Sequence, residues 1–186
     1  MVNQERVVNR FMNYVRIGSE THFEGEMSRY LAQELRDLGF EVYVDNCGEK
    51  VGSDGNNVYC YLPGDENFEP IMFSSHMDTV TPGRNVEPII KDGYITTDGT
   101  TILGADDKAG IAAIVEAMVM IKENNIHHRP VEAIFTVIEG IAHFCGSIVF
   151  RKLVKQFLES VEQLCSNHFL DEFFIHNLVV RFDISH

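Results

Sequence analysis

A long helical pattern lies between two short runs that read as buried strands, and this limits the fold more than any other feature of the chain. One run is centred on Ile71-Met72-Phe73, within 69–75, and the other covers 131–137. Between them Ile111, Ile114, Val115, Met118, Val119 and Ile121 recur at helical spacing over 107–124. A helix between two such strands favours an α/β domain, with layered helices around a mainly parallel, mixed sheet of at least four strands.

The flanking segments fit that class. Val7, Val8, Phe11, Met12, Tyr14 and Val15 mark a first helix, closed by Gly18. A second covers 24–38, with Met27, Tyr30, Leu31, Leu35 and Leu38 as its apolar stripe and Gly39 as its stop. Residues 40–44 and 58–62 read as strands, and the Gly-, Asn- and Asp-rich stretch 47–56 between them reads as a turn. Asp92-Gly93 between 88–91 and 94–96 is a short hairpin signal. The pattern changes after Gly146. Residues 148–165 form an amphipathic helical pattern with Phe150, Leu153, Val154, Phe157, Val161 and Leu164 on one side, and a Phe-rich stretch follows. The expected organisation is therefore a domain over 1–146 and an atypical tail over 147–186, whose apolar side suits cover of the sheet edge or homo-oligomer formation.

Charge narrows the function. A net charge of −13 leaves no basic stripe for phosphates, which argues against nucleic acid and against an anionic membrane surface. No apolar run approaches the roughly 18 residues needed to span a bilayer. The start, MVNQERVVNRF, lacks the basic-then-apolar order of a signal peptide. Cys47, Cys60, Cys145 and Cys165 show no CxxC spacing, so they are expected to be reduced thiols in a cytoplasmic protein.

Three places could carry chemistry. His76 ends a buried strand and Asp78 lies two residues on. A neutral imidazole ligates zinc through one nitrogen while a carboxylate holds the other. The same residues also suit an ordinary polar strand end. Asp106 and Asp107 follow Gly104 at a helix start. The helix dipole and an N-cap explain one acid there, but two less well. Gly104 and Gly110 permit close backbone approach at this point. Glu139 follows the last strand, where a solvated acid is the plain reading. Strand C-terminal ends and helix N-terminal ends form the edge at which open α/β sheets bind ligands. His76, Asp78, Asp106 and Glu139 are expected to meet there in one cleft.

The stretches SSHMDTVTPG, IIKDGYITTDGTTILGADDKAGIAAIVEA and VEAIFTV resemble the catalytic domain of the peptidase T-like tripeptidases. These are cocatalytic zinc exopeptidases related to carboxypeptidase G and the aminoacylases. The resemblance covers most of 1–137. It implies hydrolysis of the N-terminal peptide bond of short peptides by a water activated between two zinc ions. It implies that His76 is a zinc ligand, that Asp78 supports it, and that Asp106 bridges both ions. It further implies a cis peptide after Asp106, and Glu139 as the general base.

The resemblance also shows departures. Gly140 stands where the family has a second glutamate, a zinc ligand, and Ala142 stands where it has glycine. A later aspartate and a final histidine ligand have no match in 143–186, although Asp171, His168, His176 and Cys145 could bind metal in principle. The chain therefore reads as a truncated or frame-altered relative, expected to fold without a stable dinuclear centre. Two functions stay open: a zinc aminopeptidase of the tripeptidase type, and an impaired relative that binds metal weakly or self-associates. A nucleotide-binding domain is disfavoured, since neither GxxxxGK[ST] nor GxGxxG after a strand occurs.

Overall fold

The structure, a computed structural model, describes residues 2–139. The tail expected over 147–186, its helical pattern and the boundary at 146 lie outside the described residues. In chain order the elements are α1 (Gln4–Arg16), α2 (Gly25–Asp37), β1 (Glu41–Val44), α3 (Gly48–Val51) and β2 (Val58–Leu62). There follow β3 (Ile71–His76), β4 (Ile89–Lys91), β5 (Tyr94–Thr96), α4 (Ala105–Glu123) and β6 (Val131–Thr136).

The expected mixed sheet is present, in the order β1-β2-β6-β3. β3 and β6 pair in parallel, connected through α4, whereas β1–β2 and β2–β6 are antiparallel. Parallel pairing is thus the minority among the described strands. Alternation decides which face of the sheet is buried. Val58, Cys60 and Leu62 lie opposite Phe135, Ala133 and Val131, and all six are buried, while Tyr59 and Tyr61 point to the half-exposed face. Each large apolar side chain buried this way contributes about 1.5–3 kcal/mol. β4 and β5 form a separate hairpin whose two turn residues, Asp92 (φ 52°) and Gly93 (φ 78°), are both left-handed.

α4 is the central helix. It packs on β3 and β6 and also on α1. Ile111, Val115 and Met118 are fully buried as their spacing predicts, but Ile114 is only partly buried. Burial extends round the helix because α1 covers its far side, where Glu116 is buried as well. The stretch 47–56, expected as a turn, contains the one-turn helix α3. Asp45 Oδ1 accepts the Cys47 N–H at its start, and Gly52 takes the left-handed conformation at its end. Cys47 and Cys60 are buried. Among the described residues no helix is long and apolar enough to cross a membrane.

A polar network joins the three long helices. Arg6 Nε and Arg10 Nη1 donate to Glu116 Oε2 at 2.7 and 2.9 Å, while Arg10 Nε donates to Glu34 Oε1 at 2.9 Å. The Tyr14 hydroxyl donates to Glu34 Oε2 at 2.6 Å. Burial pushes the Glu116 carboxyl up, but the bonds from Arg6 and Arg10 outweigh it and hold the group below its ordinary value. A carboxyl depressed in the folded state stabilises above its unfolded pKa, and that stability is lost as pH falls through the folded value. Glu116→Gln should cost about 3 kcal/mol at neutral pH, because it leaves the buried Arg10 guanidinium without this charge. The gap from wild type should narrow as the pH is lowered through the carboxylate range. Urea unfolding of both proteins at neutral and acidic pH checks this, and an equal gap at both would contradict it.

Candidate active site

His76 ends β3 directly opposite Thr136 of β6, so the two parallel strands finish at the same edge. The start of α4 reaches that edge too, since the Ser75 hydroxyl donates to Asp107 Oδ2 at 2.7 Å and to the Asp107 carbonyl at 3.1 Å. The local sequence explains how the two acids divide. Asp107 Oδ1 accepts the Gly110 N–H at 3.2 Å, which makes Asp107 the cap of the helix proper. A Cβ at position 110 would collide with that carboxylate, so glycine is needed there. Asp106 and Asp107 have non-helical backbones, and the peptide between them is cis, as the resemblance implied. The Asp106 side chain is 91% exposed.

The imidazole of His76 lies between two carboxylates. Its Nδ1 faces the Asp78 carbonyl at 3.0 Å and Asp78 Oδ1 at 3.2 Å. Both are acceptors, so Nδ1 carries a proton. Nε2 lies 3.2 Å from Asp106 Oδ1. Asp78 Oδ2 accepts the Thr21 hydroxyl at 2.9 Å, and Asp78 Oδ1 accepts the Glu139 N–H at 2.8 Å. The structure therefore brings His76, Asp78, Asp106 and the Glu139 backbone together, and the Glu139 side chain is exposed.

Charge follows geometry. Burial lowers the His76 pKa, but the bond to Asp78, the charges of Asp78 and Asp107, and the contact with Asp106 together raise it to about 9. Burial alone would raise Asp78, yet the bonds from His76, Thr21 and the Glu139 N–H bring it below the ordinary aspartate value. Burial also lifts Asp107, and there it prevails over the Ser75 bond. Beside it Lys108 is fully buried, donates to the Ile17 carbonyl at 2.6 Å and is desolvated to a pKa of about 8.

His76 and Asp106 are side chains of the kinds that ligate zinc, and they form a pair. Two donors about 2.0–2.1 Å from one zinc ion at a tetrahedral angle lie about 3.3 Å apart. The 3.2 Å between His76 Nε2 and Asp106 Oδ1 matches that span. Among the described residues no group of three or more His, Cys, Asp or Glu side chains converges on one point. Gly140, Ala142, Cys145, His168, Asp171 and His176 lie outside the described residues. One residue at this edge was overlooked in the sequence. Glu24 is there only the first residue of the 24–38 helical pattern, but it is fully buried and bonds to the segment that carries Glu139. Its spacing holds no signal of this, because the contact is made across 114 residues.

The site is an imidazole–carboxylate pair at an α/β sheet edge, and comparison supplies the family. The profile of peptidase family M20/M25/M40 matches residues 72–178, more than half of the sequence, and the chain belongs to that family. It is 47% identical over 137 residues to the uncharacterised protein YqjE of Bacillus subtilis, a match covering 74% of this chain and 37% of that one. Aminopeptidase PepT of Bacillus cereus superposes with a TM-score of 0.71 at 50% identity, over 73% of this chain and 37% of that one. A Staphylococcus aureus tripeptidase superposes with a TM-score of 0.71 at 42% identity, over 74% and 37%. The chain thus spans little more than a third of these relatives.

The ion-pair geometry has a direct consequence. Asp78→Asn removes the strongest influence raising His76 and leaves its burial in place. The His76 pKa in the metal-free chain should fall from about 9 toward or below the ordinary histidine value. A side-chain NMR titration reads this. An unchanged value would mean that Asp106 and Asp107 hold the imidazolium without Asp78.

Proposed function

We propose that this site serves a zinc-dependent aminopeptidase of the tripeptidase type, which hydrolyses the N-terminal peptide bond of short peptides. The observation that carries the reading is the His76 Nε2–Asp106 Oδ1 pair at 3.2 Å, with the Glu139 backbone pinned to Asp78 beside it. In this reading His76 and Asp106 would hold the metal, and Asp78 would fix the His76 tautomer. When bound, zinc supplies Lewis-acid polarisation of the scissile carbonyl and lowers the pKa of the attacking water. Glu139 takes the proton from that water and delivers it to the leaving amine. The acidic surroundings suit the substrate's free α-amino group. The names of the Bacillus cereus and Staphylococcus aureus proteins support the substrate class.

A second reading, a metal-binding chain without turnover, rests on the two donors that the described residues bring together. Zinc centres normally take at least three protein ligands. One experiment separates the two. The chain is titrated with zinc by calorimetry, then assayed for tripeptide hydrolysis. The peptidase reading expects turnover that falls by about 10²–10⁴ on Glu139→Ala while zinc affinity is kept. Zinc binding with no cleavage by the wild-type chain would establish the second reading instead.

A further inference from the structure

Three consecutive backbone N–H groups beyond β6 are caught by side chains from three separate parts of the chain. Val137 donates to Asn57 Oδ1 at 3.0 Å, Ile138 to Glu24 Oε1 at 3.2 Å and Glu139 to Asp78 Oδ1 at 2.8 Å. Ile138 sits at φ 54°, in the left-handed region. A β-branched side chain is a true outlier there, and such a residue persists only where its surroundings over-determine it.

Glu24 is the unusual partner. It stands at the start of α2 but makes no side-chain capping bond to that helix. Its carboxylate is instead turned inward, with the residue 0% exposed. It accepts the His22 N–H at 3.1 Å, the Ser53 hydroxyl at 2.5 Å and the Ile138 N–H at 3.2 Å. Burying a carboxylate is costly unless it is hydrogen-bonded, and these three donors offset that cost. The neighbouring clamp is itself held. Asn57 Nδ2 donates to Asp45 Oδ2 at 2.9 Å, which leaves its Oδ1 aimed at Val137.

We propose that Glu24 is a positioning residue for Glu139: its buried carboxylate fixes the Ile138 backbone in the turn that presents Glu139 beside the His76–Asp106 pair. This rests on the reading of Glu139 as the proton acceptor. Asp78 then has two tasks, orienting His76 and holding the Glu139 backbone, so the ligand and the base share one reference point. Glu24 holds the preceding residue of the same turn. Without it the strained Ile138 conformation has one fewer restraint, and the Glu139 side chain loses a defined origin.

The test uses the full 186-residue chain with added zinc, as wild type, Glu24→Ala and Glu24→Gln. Amide exchange by NMR and tripeptide hydrolysis are measured on each. In Glu24→Ala, exchange at Ile138 and Glu139 should quicken by about tenfold or more, the factor a lost hydrogen bond implies, with Ala133 and Ile134 unchanged. Turnover should fall by a similar factor or more at unchanged KM. Glu24→Gln keeps an oxygen for the Ile138 N–H and should recover much of both, even if the alanine variant folds poorly. Unchanged exchange in both variants overturns the proposal, and so does faster exchange with turnover intact. A wild-type chain that cleaves nothing counts against the peptidase reading alone, and the exchange comparison then decides the role of Glu24 by itself.

Discussion

The parallel pairing of β3 with β6 is the constraint on which the site depends. Parallel neighbours need a crossover, and here α4 is the helix within it. With His76 in register with Thr136, the last residue of one strand and the turn after the other arrive at the same edge. The start of α4 is drawn to that edge by the Ser75–Asp107 bonds. Three stretches far apart in sequence thus deliver an imidazole, an exposed carboxylate and a strained turn to one place. The apolar side of α4 holds the arrangement from below, and Glu116, bonded to Arg6 and Arg10, anchors it from the α1 side.

Within that edge, similar acids do different work because their surroundings differ. Asp107 is half-buried, caps α4 and receives the Ser75 hydroxyl. Asp106, one residue earlier, is open to solvent and faces His76. Asp78 is buried and accepts from a hydroxyl, a backbone N–H and the imidazole. Glu24 is the most deeply buried of them and serves only backbone and hydroxyl donors. Composition alone shows a net charge of −13; the fold sorts its acids into cap, ligand candidate, orienting group and backbone clamp.

Much of this was legible in the residues, for identifiable reasons. β2 was read at its observed ends because Pro63-Gly64 stops a clear alternation. The hairpin was read because Asp92-Gly93 suits two left-handed positions. The Ile111–Val115–Met118 stripe marked the buried side of α4. Other features depend on contacts that spacing does not carry. α3 forms in a Gly-rich stretch because Asp45 anchors its start, and that aspartate also accepts from Asn57 across the loop. The strand directions depend on which neighbours pair, so a helix between two strands revealed the parallel β3–β6 pair but not the antiparallel β1–β2 and β2–β6 pairs. The clamp formed by Glu24 leaves no mark in the spacing because its partners, Ser53 and Ile138, are remote in sequence.

The most direct measurement is anomalous diffraction at the zinc edge from crystals of this chain grown with zinc. A site assembled by the β3–β6 edge should give an anomalous peak within about 2.0–2.2 Å of His76 Nε2 and an Asp106 oxygen. Density elsewhere, or none at this edge under saturating zinc, would contradict the assignment of His76 and Asp106 as metal ligands.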